Sequence, residues 1–314
     1  MLAIETEGLT KDYQVGFWRP RPYRALHGLS LAVEPGEVFG FLGPNGAGKS
    51  TAIKLLMQLI YPTSGTARIL GKPVGDVDVR RRIGFLPENP SFYDYLTAEE
   101  LLTYFAGLFD VPAAERQARV GRVLDEVGLG AERRMRLRSY SKGMVQRVGI
   151  AQALINEPDV VFLDEPMSGL DPIGRRDVRR LLVSLRDRGC TVFFSSHILS
   201  DAETLCSRVA VIAQGRLAAG GRLADIVGVD VLGWELVVDA SAEAIARART
   251  RVRGVTALHE GRYALDLAPE SPEQVLQALA ADGARVVSLN PVRKTLEDFF
   301  VRHVAETARR EAAL

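Results

Sequence analysis

Gly43, Pro44, Asn45, Gly46, Ala47, Gly48, Lys49, Ser50 and Thr51 follow one another between an apolar run, Glu37 to Leu42, and an apolar helical pattern, Thr51 to Leu59. Strand, glycine-rich loop and helix in that order make a cradle for phosphate. The glycines let the backbone turn tightly, so that successive N–H groups face one anion, and the positive end of the following helix adds to the attraction. In such a loop Lys49 reaches the outer phosphates and the Ser50 hydroxyl sits on Mg²⁺. The chemistry predicted is the binding of a nucleoside triphosphate with its magnesium ion.

Other residues carry the reactive groups that such a site needs. In Val160-Val-Phe-Leu-Asp164-Glu165-Pro166 an apolar strand ends in Asp164, at the sheet edge where a carboxylate can hold the metal. Glu165 can polarise a water in line with the γ-phosphate, although an acid in this position also suits a solvated loop. In Ser139-Tyr-Ser-Lys-Gly-Met-Val-Gln-Arg147, Ser141 and Gly143 offer a hydroxyl and open N–H groups at a helix start. Read alone, that segment is an ordinary helix cap. His197 follows the strand Thr191–Ser195, and Tyr13 offers a flat face on which a base could stack. Trp18 and Tyr23 compete for that role from the basic insertion Gly16–Arg24, which is expected to be a solvated loop.

The elements that must position these groups alternate. Ala3–Glu7, Leu29–Val33, Val38–Leu42, Thr66–Ile69, Arg82–Leu86, Val160–Leu163, Thr191–Ser195 and Arg208–Ala213 read as strands. Ala98–Phe109, Ala114–Val127, Lys142–Ile155 and Gly174–Arg188 carry helical periodicity. Runs such as Val160–Leu163 suit strands covered on both faces, hence an α/β core with a largely parallel sheet. Beyond about residue 226 the order becomes strand (Val231–Val238), helix (Ser241–Arg251), two strands turning at Glu260-Gly261, helix (Ser271–Ala281), strand (Arg285–Leu289) and a last helix from Thr295 towards Arg309. That is the split βαβ, ferredoxin-like order. Ser271 is a plausible cap. Trp234, Leu236, Val275, Leu276, Leu279, Val286 and Val287 are its candidate core.

At 314 residues the chain exceeds the roughly 250–300 residues one core usually serves, so two domains are expected. A net charge of +1 gives no support for a broad nucleic-acid footprint. Cys190 and Cys206 lack metal or redox spacing and read as inert thiols. No apolar run approaches the roughly 20 residues that span a bilayer. The start, Met1 to Glu7, lacks the basic and apolar regions of a signal peptide.

Together the motifs resemble those of ATP-binding cassette (ABC) proteins. Tyr140-Ser-Lys-Gly-Met144 resembles their signature sequence, in which Ser141 and Gly143 grip the γ-phosphate; Lys142 and Met144 stand where Gly and Gln are commonest. Ser168-Gly-Leu-Asp171 resembles the loop that couples the two sites of a dimer, His197 the switch histidine, and Tyr13 the adenine-stacking aromatic. Ile83-Gly-Phe-Leu-Pro-Glu88 resembles the strand into the Q-loop, with Glu88 where relatives place glutamine beside Mg²⁺. Lys294-Thr-Leu-Glu-Asp-Phe-Phe300 is similar to an element of ABC-2-type bacterial exporter ATPases.

The resemblance implies an α/β P-loop NTPase with a RecA-like core, an antiparallel β subdomain and a helical subdomain over residues 1–225. A small α+β domain over 226–314 would follow. It implies an ATPase with ATP and Mg²⁺ as cofactors. Glu165, His197 and Lys49 would be catalytic, and Ser50, Asp164 and Glu88 would lie at the metal. The phosphate loop, Tyr13, Ser141, Gly143 and Asp171 would bind nucleotide. Two copies, or a copy and a close paralogue, would sandwich two ATP and drive a polytopic permease docked near Glu88–Tyr95, at the cytoplasmic face of the bacterial membrane and without nucleic acid. Phe92, Tyr93 and Tyr95 are expected at that docking surface, and Tyr104, Phe105 and Phe109 in the core. The alternative is a soluble ABC ATPase acting on nucleic acid or ribosomes, against which stand a single cassette and no sustained heptads. A P-loop kinase or GTPase leaves the signature and His197 unexplained.

Overall fold

A computed structural model of the chain describes residues 1–16, 18, 20–227, 231–270, 272–293 and 295–300. They form two compact units, Met1–Leu223 and Ala224–Leu314. In chain order the first contains β1 (Ile4–Val15), β2 (Arg21–Val33), β3 (Val38–Leu42), α1 (Lys49–Leu56), β4 (Ser64–Ile69), β5 (Lys72–Pro73), α2 (Val77–Arg80) and β6 (Ile83–Leu86). It continues with α3 (Ala98–Leu108), α4 (Ala113–Glu126), α5 (Lys142–Leu154), β7 (Val160–Leu163), α6 (Pro172–Asp187), β8 (Thr191–Ser196), α7 (Leu199–Leu205), β9 (Arg208–Ala213) and β10 (Arg216–Arg222).

Six strands form one sheet in the order β10-β9-β3-β8-β7-β6, all parallel except the edge strand β10. Every residue of β3, β7 and β8 is buried, as strands covered on both faces require. Phe193 of β8 holds the centre, its ring 5.4–5.6 Å from those of Phe39, Phe41 and Phe162. A second, antiparallel sheet runs β2-β1-β4-β5. Ile4, Leu26 and Leu29 from that sheet share one core with Ile53 and Leu56 of α1 and with Phe39, Phe41 and Phe162. Thr97 and Glu100 cap α3 reciprocally, and α3, α4 and α5 pack together as the helical part.

The basic insertion is not a solvated loop throughout. β1 and β2 run on as a hairpin, pairing Asp12 with Arg24, Tyr13 with Tyr23 and Val15 with Arg21. Cross-strand backbone bonds, and the two-pronged Arg24–Asp12 ion pair at 2.7 and 2.9 Å, replace the burial that a strand pattern would have advertised. Phe17 and Arg19 lie outside the described residues.

The second unit contains β11 (Val231–Asp239), α9 (Ala242–Ala248), β12 (Gly254–His259), β13 (Arg262–Leu267), α10 (Pro272–Ala281) and β14 (Arg285–Arg293), and α8 (Leu223–Val227) leads into it. Its sheet runs β12-β13-β11-β14 with every pair antiparallel, the ferredoxin-like arrangement. Leu236, Val238, Leu265 and Leu267 meet Ile245 of α9 and Val275 and Leu279 of α10, with Trp234 and Leu276 packed at the margin. Val286 and Val287 do not join this core and stay exposed. They sit on an edge strand where the register shifts between Val237 and Val238, so the inward–outward alternation breaks. Arg262 and Arg285 hold Asp239, and the Arg262 hydrogen bond keeps its carboxyl below the usual range. Residues 296–300 are helical, opened by Thr295, which exchanges bonds with Asp298. The rest of the expected last helix, the cap Ser271 and Lys294 lie outside the described residues.

Both cysteines are free and buried. Burial pushes the Cys190 thiol up to about 12 and the Cys206 thiol further in the same direction, so both stay protonated, as inert thiols should.

Gly84 shows how closely β6 lies against α5. A Cβ there would meet the Ala153 carbonyl oxygen at 1.9 Å and Pro158 Cγ at 3.2 Å. Gly84→Ala should therefore destabilise the first unit by about 1–3 kcal/mol, the usual range for overpacking. Thermal melting checks this, with a drop of about 2–12 °C expected.

Candidate functional site

The phosphate loop is shaped by what lies behind it. A Cβ on Gly43 would meet the Ile212 carbonyl oxygen at 2.2 Å, so only glycine fits between β3 and β9. Gly48 has φ 105° and stands at the start of α1 with no side-chain cap. The first N–H groups of α1 thus point outward and are open to an anion. Ala47 is buried, its N–H donating to Pro44 O and its own carbonyl accepting from Gly215. Lys49 Nζ donates to Gly43 O at 2.7 Å and to Pro44 O at 3.2 Å.

In the sheet β3 lies beside β8, and β8 beside β7, so the loops after these three strands are neighbours. Asp164 and Glu165 leave the end of β7 almost wholly buried. Ser195 Oγ donates to Asp164 Oδ1 at 2.6 Å and accepts the Glu165 N–H at 2.9 Å. Glu165 Oε1 faces Lys49 Nζ at 3.1 Å as an ion pair, and its Oε2 is 2.8 Å from His197 Nδ1. Glu165 itself is in the left-handed region, φ 51°. Gln146 Nε2, from α5, donates to the carbonyls of Glu165 and Pro166 at 3.3 Å each.

A cavity of about 440 Å³ opens above this cluster. Gly46, Gly48, Lys49, Ser50 and Thr51 form its floor with Asn45, Tyr13, Tyr23 and Ala25 form one wall, and Glu88 and Glu165 stand at its side. Lys11 Nζ lies 5.2 Å over the Tyr13 ring. The sequence-predicted phosphate, base, metal and catalytic residues therefore converge, and Tyr23 joins Tyr13 there through their paired register.

Ser141, Gly143 and Asp171 form a separate cluster. Ser141 caps α5 by accepting from Met144 N at 3.3 Å, and Asp171 caps α6 by accepting from Gly174 N at 2.7 Å. A Cβ on Gly143 would lie 3.2 Å from Leu170, and one on Gly169 2.9 Å from Lys142, so the two loops abut. Ser195 and Gln146 were not singled out in the sequence. The only signal for them was position: one ends the strand before His197, the other sits inside the Ser139–Arg147 segment.

A second cavity, of about 580 Å³, lies beside the strand that leads to Glu88. Phe92, Phe105 and Phe109 line it with Pro87 and Pro90. Phe105 and Phe109 are thus half-buried cavity walls and Tyr104 is exposed, rather than core, because α3 is buried through Ala98, Leu101, Leu102 and Ala106 instead.

The ABC transporter family matches residues 26–168. An uncharacterised ABC transporter ATP-binding protein of Synechocystis is 45% identical over 97% of this chain and 85% of its own length. The daunorubicin/doxorubicin resistance ATP-binding protein DrrA of Streptomyces peucetius is 38% identical over 88% of this chain and 84% of its own. Among solved structures, the ATP-binding cassette MJ0796, dimeric in a post-hydrolysis state with ADP and Pi, superposes with a TM-score of 0.65 at 27% identity, covering 70% of this chain and 98% of that one. With these relatives, and with a phosphate cradle whose Lys49 pairs with Glu165 and a His197 bonded to that same carboxylate, the chain belongs to the ATP-binding subunits of the ABC transporter family.

Proposed function

We propose that two copies of this chain close on two ATP molecules and that hydrolysis drives export through a separate membrane-spanning permease. The observation that carries the reading is Glu165, held between Lys49 at 3.1 Å and His197 at 2.8 Å at the side of the cavity. Lys49 and the open N–H groups of α1 receive the β- and γ-phosphates. Glu165 takes the proton of the attacking water as the water oxygen bonds to the γ-phosphorus. The bond to the bridging oxygen breaks, and ADP leaves with the electron pair. His197 Nδ1 orients Glu165, which leaves Nε2 to touch the γ-phosphate. Tyr13, with Tyr23 beside it, receives the base.

The donor set fits Mg²⁺. Asp164 and Ser50 are hard oxygen ligands, and the Ser195 hydroxyl occupies only Oδ1 of Asp164, leaving its other oxygen for a metal. Bound there, Mg²⁺ would neutralise phosphate charge; Glu88, exposed at the cavity side, would reach it directly or through water.

The signature cluster has no phosphate cradle beside it, so Ser141 and Gly143 are assigned to the nucleotide held by a second copy, as the dimeric MJ0796 supports. The aromatic cavity lined by Phe92, Phe105 and Phe109 suits an apolar helix end of a permease. Among the described residues no helix is long and apolar enough to cross a membrane, so the membrane path belongs to that partner. Export, rather than import, rests on the drug-resistance relative DrrA and on the tail segment Lys294–Phe300. The second unit, with its own core, is assigned to holding the two copies close between cycles, which raises the effective concentration of one cassette for the other.

Glu165→Gln should lower kcat by about 10²–10⁴-fold, the contribution of a general base, while ATP still binds. An ATP-dependent dimer should accumulate on gel filtration; turnover at the wild-type rate would remove Glu165 from the mechanism.

Replacing Phe92 and Tyr93 together by Ala should weaken capture of the co-expressed permease about 10-fold or more, as loss of interface anchors does, with ATP affinity unchanged. Undiminished capture would place the permease elsewhere.

A chain ending at Ile226 should keep ATP binding but self-associate more weakly, with a specific activity that depends more steeply on concentration. Sedimentation across a dilution series checks this, and identical association of both lengths would defeat the tether.

A further inference from the structure

Glu165 stands in a backbone conformation that side-chain-bearing residues seldom adopt, φ 51°, and such conformations persist only where the surroundings hold them. Three contacts do so. Its N–H donates to Ser195 Oγ at 2.9 Å, and its carbonyl closes the turn by accepting from Ser168 N at 3.0 Å. The third is the carboxamide of Gln146, 3% exposed, whose Nε2 donates to the Glu165 and Pro166 carbonyls at 3.3 Å each. Of the three, only Gln146 comes from outside the β7–β8 region. It lies on α5, the helix that opens at Ser141.

We infer that Gln146 is a positioning residue for Glu165, tying the signature segment to the general base of the same subunit. The inference rests on the proposed role of Glu165. Ser141 starts α5, and Gln146 lies little more than one turn further on, in the buried stretch that continues through Val148, Gly149 and Ile150. A shift of α5 when Ser141 engages the nucleotide of a second copy therefore reaches the 165–166 carbonyls through one short lever. Gln146 does not itself line the cavity and meets it only through the Glu165 backbone, so its effect runs through where Glu165 points. Misplacement of a reacting group by about 1 Å costs on the order of 100-fold in rate.

Gln146→Met keeps the length of the side chain and removes both donors. In the full-length protein it should lower kcat about 10- to 100-fold, leaving the Kd of a fluorescent ATP analogue within about twofold. In the Glu165→Gln background, where no base remains to be aimed, the same substitution should change the residual single-turnover rate by less than about twofold. Gln146→Asn, which keeps the amide but withdraws it by one carbon, should also lower kcat with Kd unchanged, and serves if the Met variant does not fold. Wild-type kcat in the folded variant, or an equal fractional loss with and without the Glu165 carboxylate, would overturn the inference. A wild-type protein that binds ATP and hydrolyses none would instead defeat Glu165 as the base, and this inference with it.

Discussion

Two adjacent carboxylates at the end of an apolar, fully buried strand are the constraint around which the first unit is arranged. Asp164 and Glu165 are 4% and 6% exposed, and a buried charge without a partner costs several kcal/mol. Every neighbouring element supplies compensation. The start of α1 brings the Lys49 ammonium, and the end of β8 brings the Ser195 hydroxyl and, just beyond it, His197, while the Gln146 amide of α5 satisfies the backbone carbonyls of Glu165 and Pro166. The strand order that places β3 and β7 on either side of β8 is thus also the order that lets these charges be buried. The same groups are the ones a phosphoryl transfer needs. A phosphate arriving on Lys49 meets a cation already held by two carbonyls, so little reorganisation is required of the site.

What was legible in the sequence is what demands particular residue types at one place in the chain. The phosphate cradle was readable because glycines at 43, 46 and 48 are there for backbone reasons, and Lys49 and Ser50 follow in fixed register. β3, β7 and β8 were readable because strands buried on both faces are apolar throughout. The β1–β2 hairpin was not, since a ribbon stabilised by backbone pairing and an Asp12–Arg24 bridge need show no apolar alternation. β10, Arg-Leu-Ala-Ala-Gly-Gly-Arg, lacks the β-branched and aromatic residues that mark a strand and exists because β9 offers an edge. Gln146 and Ser195 were hidden for another reason: their function is a hydrogen bond across 19 and 30 residues of sequence, which no local pattern records.

The second unit shows the same limit from the other side. Its order of elements was readable, because each helix and strand carries its own period, and the sheet β12-β13-β11-β14 follows from that order. Which valines enter the core was not, because a register shift opposite Val237 and Val238 turns Val286 and Val287 to solvent on an edge strand. Periodicity assumes unbroken pairing, and bulges are where that assumption fails.

The separation of the Lys49 loop from the Ser141 cluster gives the proposed dimer its logic. The start of α5 offers the Ser141 hydroxyl, the Gly143 backbone and no acid in its first turn, a combination that attracts phosphate. Yet its neighbours within the chain are Gly169 and Leu170, not the Lys49 loop, so in isolation it has nothing to bind. A helix start built this way becomes useful only when another copy presents a γ-phosphate to it. In the proposed dimer each site would be complete only in the assembled pair, with ATP as part of the interface. On the proposed reading, closure would depend on two bound nucleotides and opening on their hydrolysis, which is the property needed to pull on a membrane partner in each cycle.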